Sequence, residues 1–196
     1  MMRIKGILFD MDGTIVDTNY NWAQIKNELG TEGRPILVYL KTLKDPERSI
    51  KWRILEKYEG EATKKAVLKK GVPEFLDFLN AKNIKTALIT NNSQKNVNYL
   101  LEKFQLTFDL IMARETGLWK PSGKPLTAAI KKLNIKKNEA CVIGDSKFDM
   151  LAAVSAGIPN IFILNKNRSD FDQNKVEIFD SIAQIKSKLE SLLTSL

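Results

Sequence analysis

A chain of 196 residues, 43% apolar and 28% charged, is long enough for one full core plus a small insertion, and no stretch of it reaches the roughly 20 apolar residues that a membrane span needs. Histidine is absent, which excludes a histidine general base, a phosphohistidine and a histidine-bound metal, and a single cysteine, Cys141, excludes an internal disulfide. The formal charge of +8, denser over residues 17–70 than elsewhere, favours an anionic partner, although a solvated lysine-rich surface accounts for it equally well.

In chain order, the N-terminal MMRIKGILFD has too short an apolar run for a secretory signal, and with Cys141 in the apolar stretch CVIG the expected location is cytoplasmic. Residues 4–9 are predicted as a strand. It ends on two carboxylates one residue apart, Asp10 and Asp12, followed by Gly13 and Thr14. An Asp-Gly pair after a strand also makes an ordinary turn. If both side chains enter one cleft, however, their repulsion costs free energy unless a cation or a proton belongs to the design.

Residues 17–71 are rich in charge, and Ile50, Ile54, Leu55 and Tyr58 recur at helical spacing, which predicts helices with one apolar stripe. Beyond them, short β-branched runs at 85–89, 108–113, 140–143 and 160–164 alternate with helix-like stretches at 73–82, 94–104, 125–134 and 147–156. Asn92 and Ser93 sit where a helix N-cap is needed, Ser93 being assigned to capping, and Gly157 sits where a C-cap is. Alternating strands and helices predict an α/β fold, a doubly wound, Rossmann-like parallel sheet with both faces covered. The helical segment 17–71 is then a small cap inserted after strand one, and residues 1–16 and 72–196 form the core.

Open parallel sheets bind ligands beyond the carboxyl ends of their strands, near the point where strand order reverses. The first strand ends on Asp10 and Asp12. KTALITNN ends on Thr90 and Asn91, and ACVIGDSKFD on Gly144, Asp145 and Ser146, with Asp149 one turn into the following helix. Lys120, in WKPSGKP, precedes a further helix. Lys124 rivals it four residues on, and spacing to the proline and the helix favours Lys120. Each member has a plain alternative: Thr90 as a strand residue, Asn91 as a turn former, Asp149 as a solvated residue favoured by the helix dipole.

DMDGT at 10–14, ITNN at 89–92, KPSGKPL at 120–126 and GDSKFDM at 144–150, followed by AGIP, resemble the haloacid dehalogenase-like hydrolase superfamily, in its phosphatase branch. The resemblance implies that Asp10 is the nucleophile and Asp12 the general acid and base. It implies that Thr90 and the backbone near Asn91 hold the phosphoryl group while Lys120 neutralises charge. It also implies a magnesium ion on Asp10, Asp145 and Asp149, with Asp12 contributing through its backbone carbonyl. An acid at position 12 favours a phosphatase over the dehalogenases and phosphonatases of the superfamily, and a β-phosphoglucomutase-like mutase shares all four motifs.

Elementary chemistry reaches a matching division of labour. Phosphate-ester hydrolysis is among the slowest uncatalysed reactions, and a carboxylate nucleophile divides it into formation and breakdown of an aspartyl-phosphate. An anion attacking an anion needs cationic help, which magnesium and Lys120 would supply.

About 80 residues separate Asp10 from Thr90 but only 30 separate Thr90 from Lys120, so only the first interval has room for a cap. That placement is similar to the helical-cap group typified by phosphoglycolate phosphatases. A lid excludes bulk water and macromolecules, so the expected partner is a small phosphorylated metabolite. A row of aspartates repels phosphodiester backbones, which argues against nucleic acid. No membrane partner is expected, and a monomer or homodimer is. Arg34, Arg48, Lys51, Trp52 and Arg53 are candidates to face the substrate, with a solvated helix face as the alternative.

Overall fold

The computed structural model describes residues 4–194. The elements in chain order are β1 (Gly6–Phe9), β2 (Val16–Asp17), α1 (Trp22–Leu29), α2 (Ile36–Thr42), α3 (Glu47–Lys65), β3 (Val67–Leu68), α4 (Val72–Ala81), β4 (Lys85–Ile89), α5 (Gln94–Phe104), β5 (Leu110–Met112), α6 (Lys124–Leu133), β6 (Ala140–Gly144), α7 (Lys147–Ala156), β7 (Asn160–Leu164), β8 (Glu177–Phe179) and α8 (Ile182–Thr194). Six strands form one parallel sheet in the order β5-β4-β1-β6-β7-β8.

The side-chain alternation of a strand decides how this sheet is covered. Along β1, Ile7 and Phe9 enter a core built with α4, α5 and α8, where Phe75, Leu79, Val97, Leu100, Ile185 and Leu189 are buried. Leu8, between them, enters the opposite core with Leu126, Ala129 and Ile130 of α6 and the small residues Ala152, Ala153 and Ala156 of α7. A strand buried on both faces cannot tolerate a polar residue, and β1 has none until it ends at Asp10. From β1 the chain runs outward through β4 to β5, then crosses to β6 and runs outward the other way. The reversal lies between β1 and β6, and the sheet is the doubly wound one expected.

Local signals place the helices. Ser93 accepts the Asn96 N–H and caps α5, and Gly157 closes α7 in the left-handed conformation. Strand boundaries were read less well. The first strand begins at Gly6 rather than residue 4, and the run at 108–113 contributes only Leu110–Met112. The edge strand β8 had no counterpart in the sequence reading. Its three residues, EIF, pair with β7 alone and are too few to display a period.

Helices α1–α3 close a third cluster around Ile25, Leu29, Leu37, Leu40 and Leu55. The two chain segments that enter and leave this helical unit pair as a short antiparallel ribbon, Val16 opposite Leu68 and Asp17 opposite Val67, and Asp17 forms an ion pair with Lys69. The apolar stripe expected on α3 is only partly used. Leu55 is buried, Ile54 and Tyr58 are half-buried, and Ile50 is 49% exposed. The fully buried face continues instead through Glu59 and Thr63, and a hydrophobic period cannot reveal a buried polar face.

Candidate active site

The chain turns immediately beyond β1. The Asp10 N–H still donates to Ile143 O of β6 at 2.9 Å, while the N–H groups of Ile15 and Val16 fold back onto Met11 O. Gly13 lies at φ +86°, and a Cβ there would stand 2.0 Å from Asp145 Oδ2. Only glycine provides this backbone conformation together with room for the facing carboxylate.

β6 delivers Asp145 beside Asp10, and α7 adds Asp149 from its first turn. Asp149 Oδ2 accepts from the Ser146 hydroxyl at 2.6 Å and the Ser146 N–H at 3.1 Å, forming a capping box. Its other oxygen accepts from Lys120 Nζ at 2.6 Å, and the same ammonium pairs with Asp10 Oδ1. One lysine therefore bridges two almost fully buried carboxylates. Lys120 is held in turn by Asn91, whose amide donates to Lys120 O at 2.9 Å and accepts from Lys120 N–H at 3.0 Å. Lys124 stands exposed on the first turn of α6.

Asp12 has different neighbours. Asn92 Nδ2 lies 3.1 and 3.4 Å from its two carboxylate oxygens and 2.9 Å from the Tyr20 hydroxyl. The Thr90 hydroxyl accepts the Asn92 N–H at 3.0 Å, which leaves its own proton to donate. Neither Asn92 nor Tyr20 was singled out as a site residue from the sequence. The second asparagine of ITNN carried a signal, but one that equally fits a cap.

Burial raises the pKa of Asp10 well above the usual carboxylate range. Lys120 opposes this, and Asp149, Asp145 and Asp12 reinforce it. Burial, with Asp149 next to it, also pushes Asp145 up to about 7. Asp12 is raised by burial, against the stabilising hydrogen bonds of Asn92 and Thr18. Burial disfavours the Lys120 ammonium, but Asp10 and Asp149 more than offset it, so Lys120 stays charged throughout the physiological range. The imbalance of three clustered carboxylates against one ammonium is what a cation relieves. Oxygen atoms of Asp10, Asp145 and Asp149 lie within 4.8 Å of one another, and an all-oxygen set suits a hard divalent ion.

The cleft over these groups encloses about 430 Å³, and its far wall comes from the helical unit: Tyr20, Trp22, Ile36, Leu37, Val38, Leu55 and Glu59, with Lys26 also on the lining. The basic residues that were candidates for this wall are engaged elsewhere. Arg34 and Lys51 lie over the Tyr39 ring, Arg48 pairs with Asp45, and Arg53 bonds Ser49 O. Trp52 packs under Arg114. The charged heads are satisfied by partners within the helical unit, and the cleft wall is mostly apolar. Arg114, beyond β5, joins the two parts of the molecule. It donates to Asn91 O at 2.9 Å and forms a buried ion pair with Glu59 of α3.

The family model described as haloacid dehalogenase-like hydrolase matches residues 20–163. The phosphoglycolate phosphatase of Aquifex aeolicus is 30% identical over 80% of this chain and 82% of its own length. The pyrophosphatase PpaX of Halalkalibacterium halodurans is 28% identical over 80% of this chain and 82% of its own. Among solved structures, CbbY from Rhodobacter sphaeroides, in complex with phosphate, superposes with a TM-score of 0.70 at 21% identity, covering 93% of this chain and 96% of that one.

Proposed function

The chain belongs to the haloacid dehalogenase-like hydrolase family, and we propose that it is a magnesium-dependent phosphatase of small phosphate monoesters that works through an aspartyl-phosphate on Asp10. The observation that carries this reading is the bridge from Lys120 to Asp10 and Asp149, with Asp145 adjoining and Asp12 set apart on Asn92. It supplies a nucleophile, a fixed positive charge, a hard-cation site and a separate proton carrier in one cleft.

Asp10 attacks phosphorus with a carboxylate oxygen. Lys120 holds that carboxylate in place and neutralises charge gathering on the phosphoryl oxygens. The Thr90 hydroxyl donates to one of those oxygens, and Asn91 keeps Lys120 in position. Asp12, whose pKa burial raises, protonates the leaving oxygen. As a carboxylate it then removes a proton from the water that cleaves the aspartyl-phosphate. Asp10, Asp145 and Asp149, with the backbone carbonyl of Asp12, would hold magnesium, which supplies further charge neutralisation at the phosphoryl group.

We assign residues 17–71 as a cap that turns on the β2–β3 ribbon and excludes bulk water and large substrates. Among the described residues no helix is long and apolar enough to cross a membrane, and a small cytoplasmic metabolite is the substrate that this lidded cleft fits. The test is inorganic phosphate released from a panel of small phosphate esters, with magnesium and with chelator. Magnesium-dependent release is the expected result. Isomerised sugar phosphate with little free phosphate would favour a mutase, and full activity in chelator would remove the metal from the reading.

A further inference from the structure

Glu59 stands on the cleft wall, on the side opposite the sheet, and is only 4% exposed. Its Oε1 is taken by Arg114. Its Oε2 has no hydrogen-bond partner, nor does the Thr63 hydroxyl one helical turn further along the same face. A buried carboxylate oxygen without a donor is costly, and such groups are ordinarily satisfied. The surrounding wall is mostly apolar, with Trp22, Leu37, Val38 and Leu55, and carries one ammonium, Lys26.

We infer that Glu59 is a specificity residue, and that the substrate is a phosphate ester whose leaving group combines an apolar body with a hydrogen-bond donor, a hydroxyl or an ammonium. The inference rests on the phosphatase reading and deepens it. A donor reaching Oε2 satisfies the orphan atom while the apolar body covers the wall. At Glu59 itself an anionic leaving group meets a carboxylate, because the Arg114 guanidinium that pairs with Glu59 also bonds Asn91 O and is not part of the cleft lining, and the Lys26 of that lining stands on another helix. The related proteins are named for phosphoglycolate, whose leaving group carries a carboxylate, and for pyrophosphate, whose leaving group is a phosphate. Glu59 attracts neither.

The experiment compares kcat/KM for phenyl phosphate and its 4-aminomethyl, 4-hydroxymethyl and 4-carboxy derivatives, in the wild type and in Glu59→Gln. Taking the ratio of wild type to variant for each ester cancels its intrinsic reactivity. The ratio should be about tenfold larger for the ammonium ester than for phenyl phosphate, smaller for the hydroxyl ester, and reversed for the carboxylate. If Glu59 merely positions Arg114, all four ratios change alike, and that outcome overturns the assignment while the phosphatase reading stands. Should the variant not fold, the wild-type preference decides: the carboxylate ester equalling the ammonium ester in KM is equally fatal. Phosphate released from none of the four removes the phosphatase reading and this inference with it.

Discussion

Asn92 aims one amide nitrogen at both carboxylate oxygens of Asp12, at 3.1 and 3.4 Å. The amide favours the ionised acid and so works against the burial that raises the Asp12 pKa. Replacing Asn92 with alanine removes the donor and raises that pKa further. The alkaline limb of the kcat/KM profile, where the general acid loses its proton, should move up by about half to one pH unit, as expected for a hydrogen bond to a charged group worth about 1 kcal/mol. An unmoved limb in a folded Asn92→Ala variant would separate Asp12 from the proton transfer.

Asp10→Asn should abolish turnover of every ester, since an amide does not attack phosphorus. Asp12→Asn should behave differently. An aryl phosphate has a good leaving group and needs little acid help in the first step, but the aspartyl-phosphate still needs a base for its hydrolysis. Rapid mixing should record at most about one equivalent of phenol per site, followed by slow release. Wild-type steady-state rates on both aryl and alkyl phosphates in Asp12→Asn would contradict the assigned roles.

Lys120 and Lys124 test the placement of positive charge. Lys120 is 6% exposed and bridges two carboxylates, whereas Lys124 is solvated. Lys120→Ala should cost activity by at least about a hundredfold and, by leaving buried charge uncompensated, stability on the order of 3 kcal/mol. Lys124→Ala should change each by little. Urea unfolding and phosphate release measured side by side give the ranking, and a reversed order would locate the essential lysine in α6.

Magnesium affinity should fall with pH. Asp145 is pushed up to about 7 in the folded protein from an ordinary value of 3.8, so protons compete with the cation below neutrality. The same raised pKa has a definite sign for stability. Between about pH 4 and 7 the folded, metal-free protein binds more protons than the unfolded chain, so its stability declines as pH rises through that window. Magnesium, which needs the ionised form, should offset the decline. Calorimetric titrations at pH 5, 6 and 8 should give a dissociation constant that weakens by up to about tenfold per unit below 7. A constant affinity from pH 5 to 8 would place the ion elsewhere.

Chemistry-bearing residues at strand ends were legible because a strand buried on both faces announces where it stops. Asp10, Thr90 and Asp145 each follow an apolar run, and Ser93 and Gly157 mark helix ends by local hydrogen bonding and backbone conformation that need no distant partner. The α/β alternation and the doubly wound sheet could be read in the same way, from short-range pattern and spacing.

Tertiary structure alone decided which groups meet. The pairing of Asn92 with Asp12 spans 80 positions and that of Glu59 with Arg114 spans 55, and neither leaves a periodic trace in the chain. The side of α3 that enters the cleft was not legible for a related reason. Hydrophobic period reports transfer from water, while Glu59 and Thr63 are buried by the approach of one part of the molecule to another. For charged residues such as Arg48 and Lys51 the sequence left a substrate-facing and a solvated position equally open; they lie in local ion pairs and hydrogen bonds, and the apolar part of the wall is made of Trp22, Leu37, Val38 and Leu55.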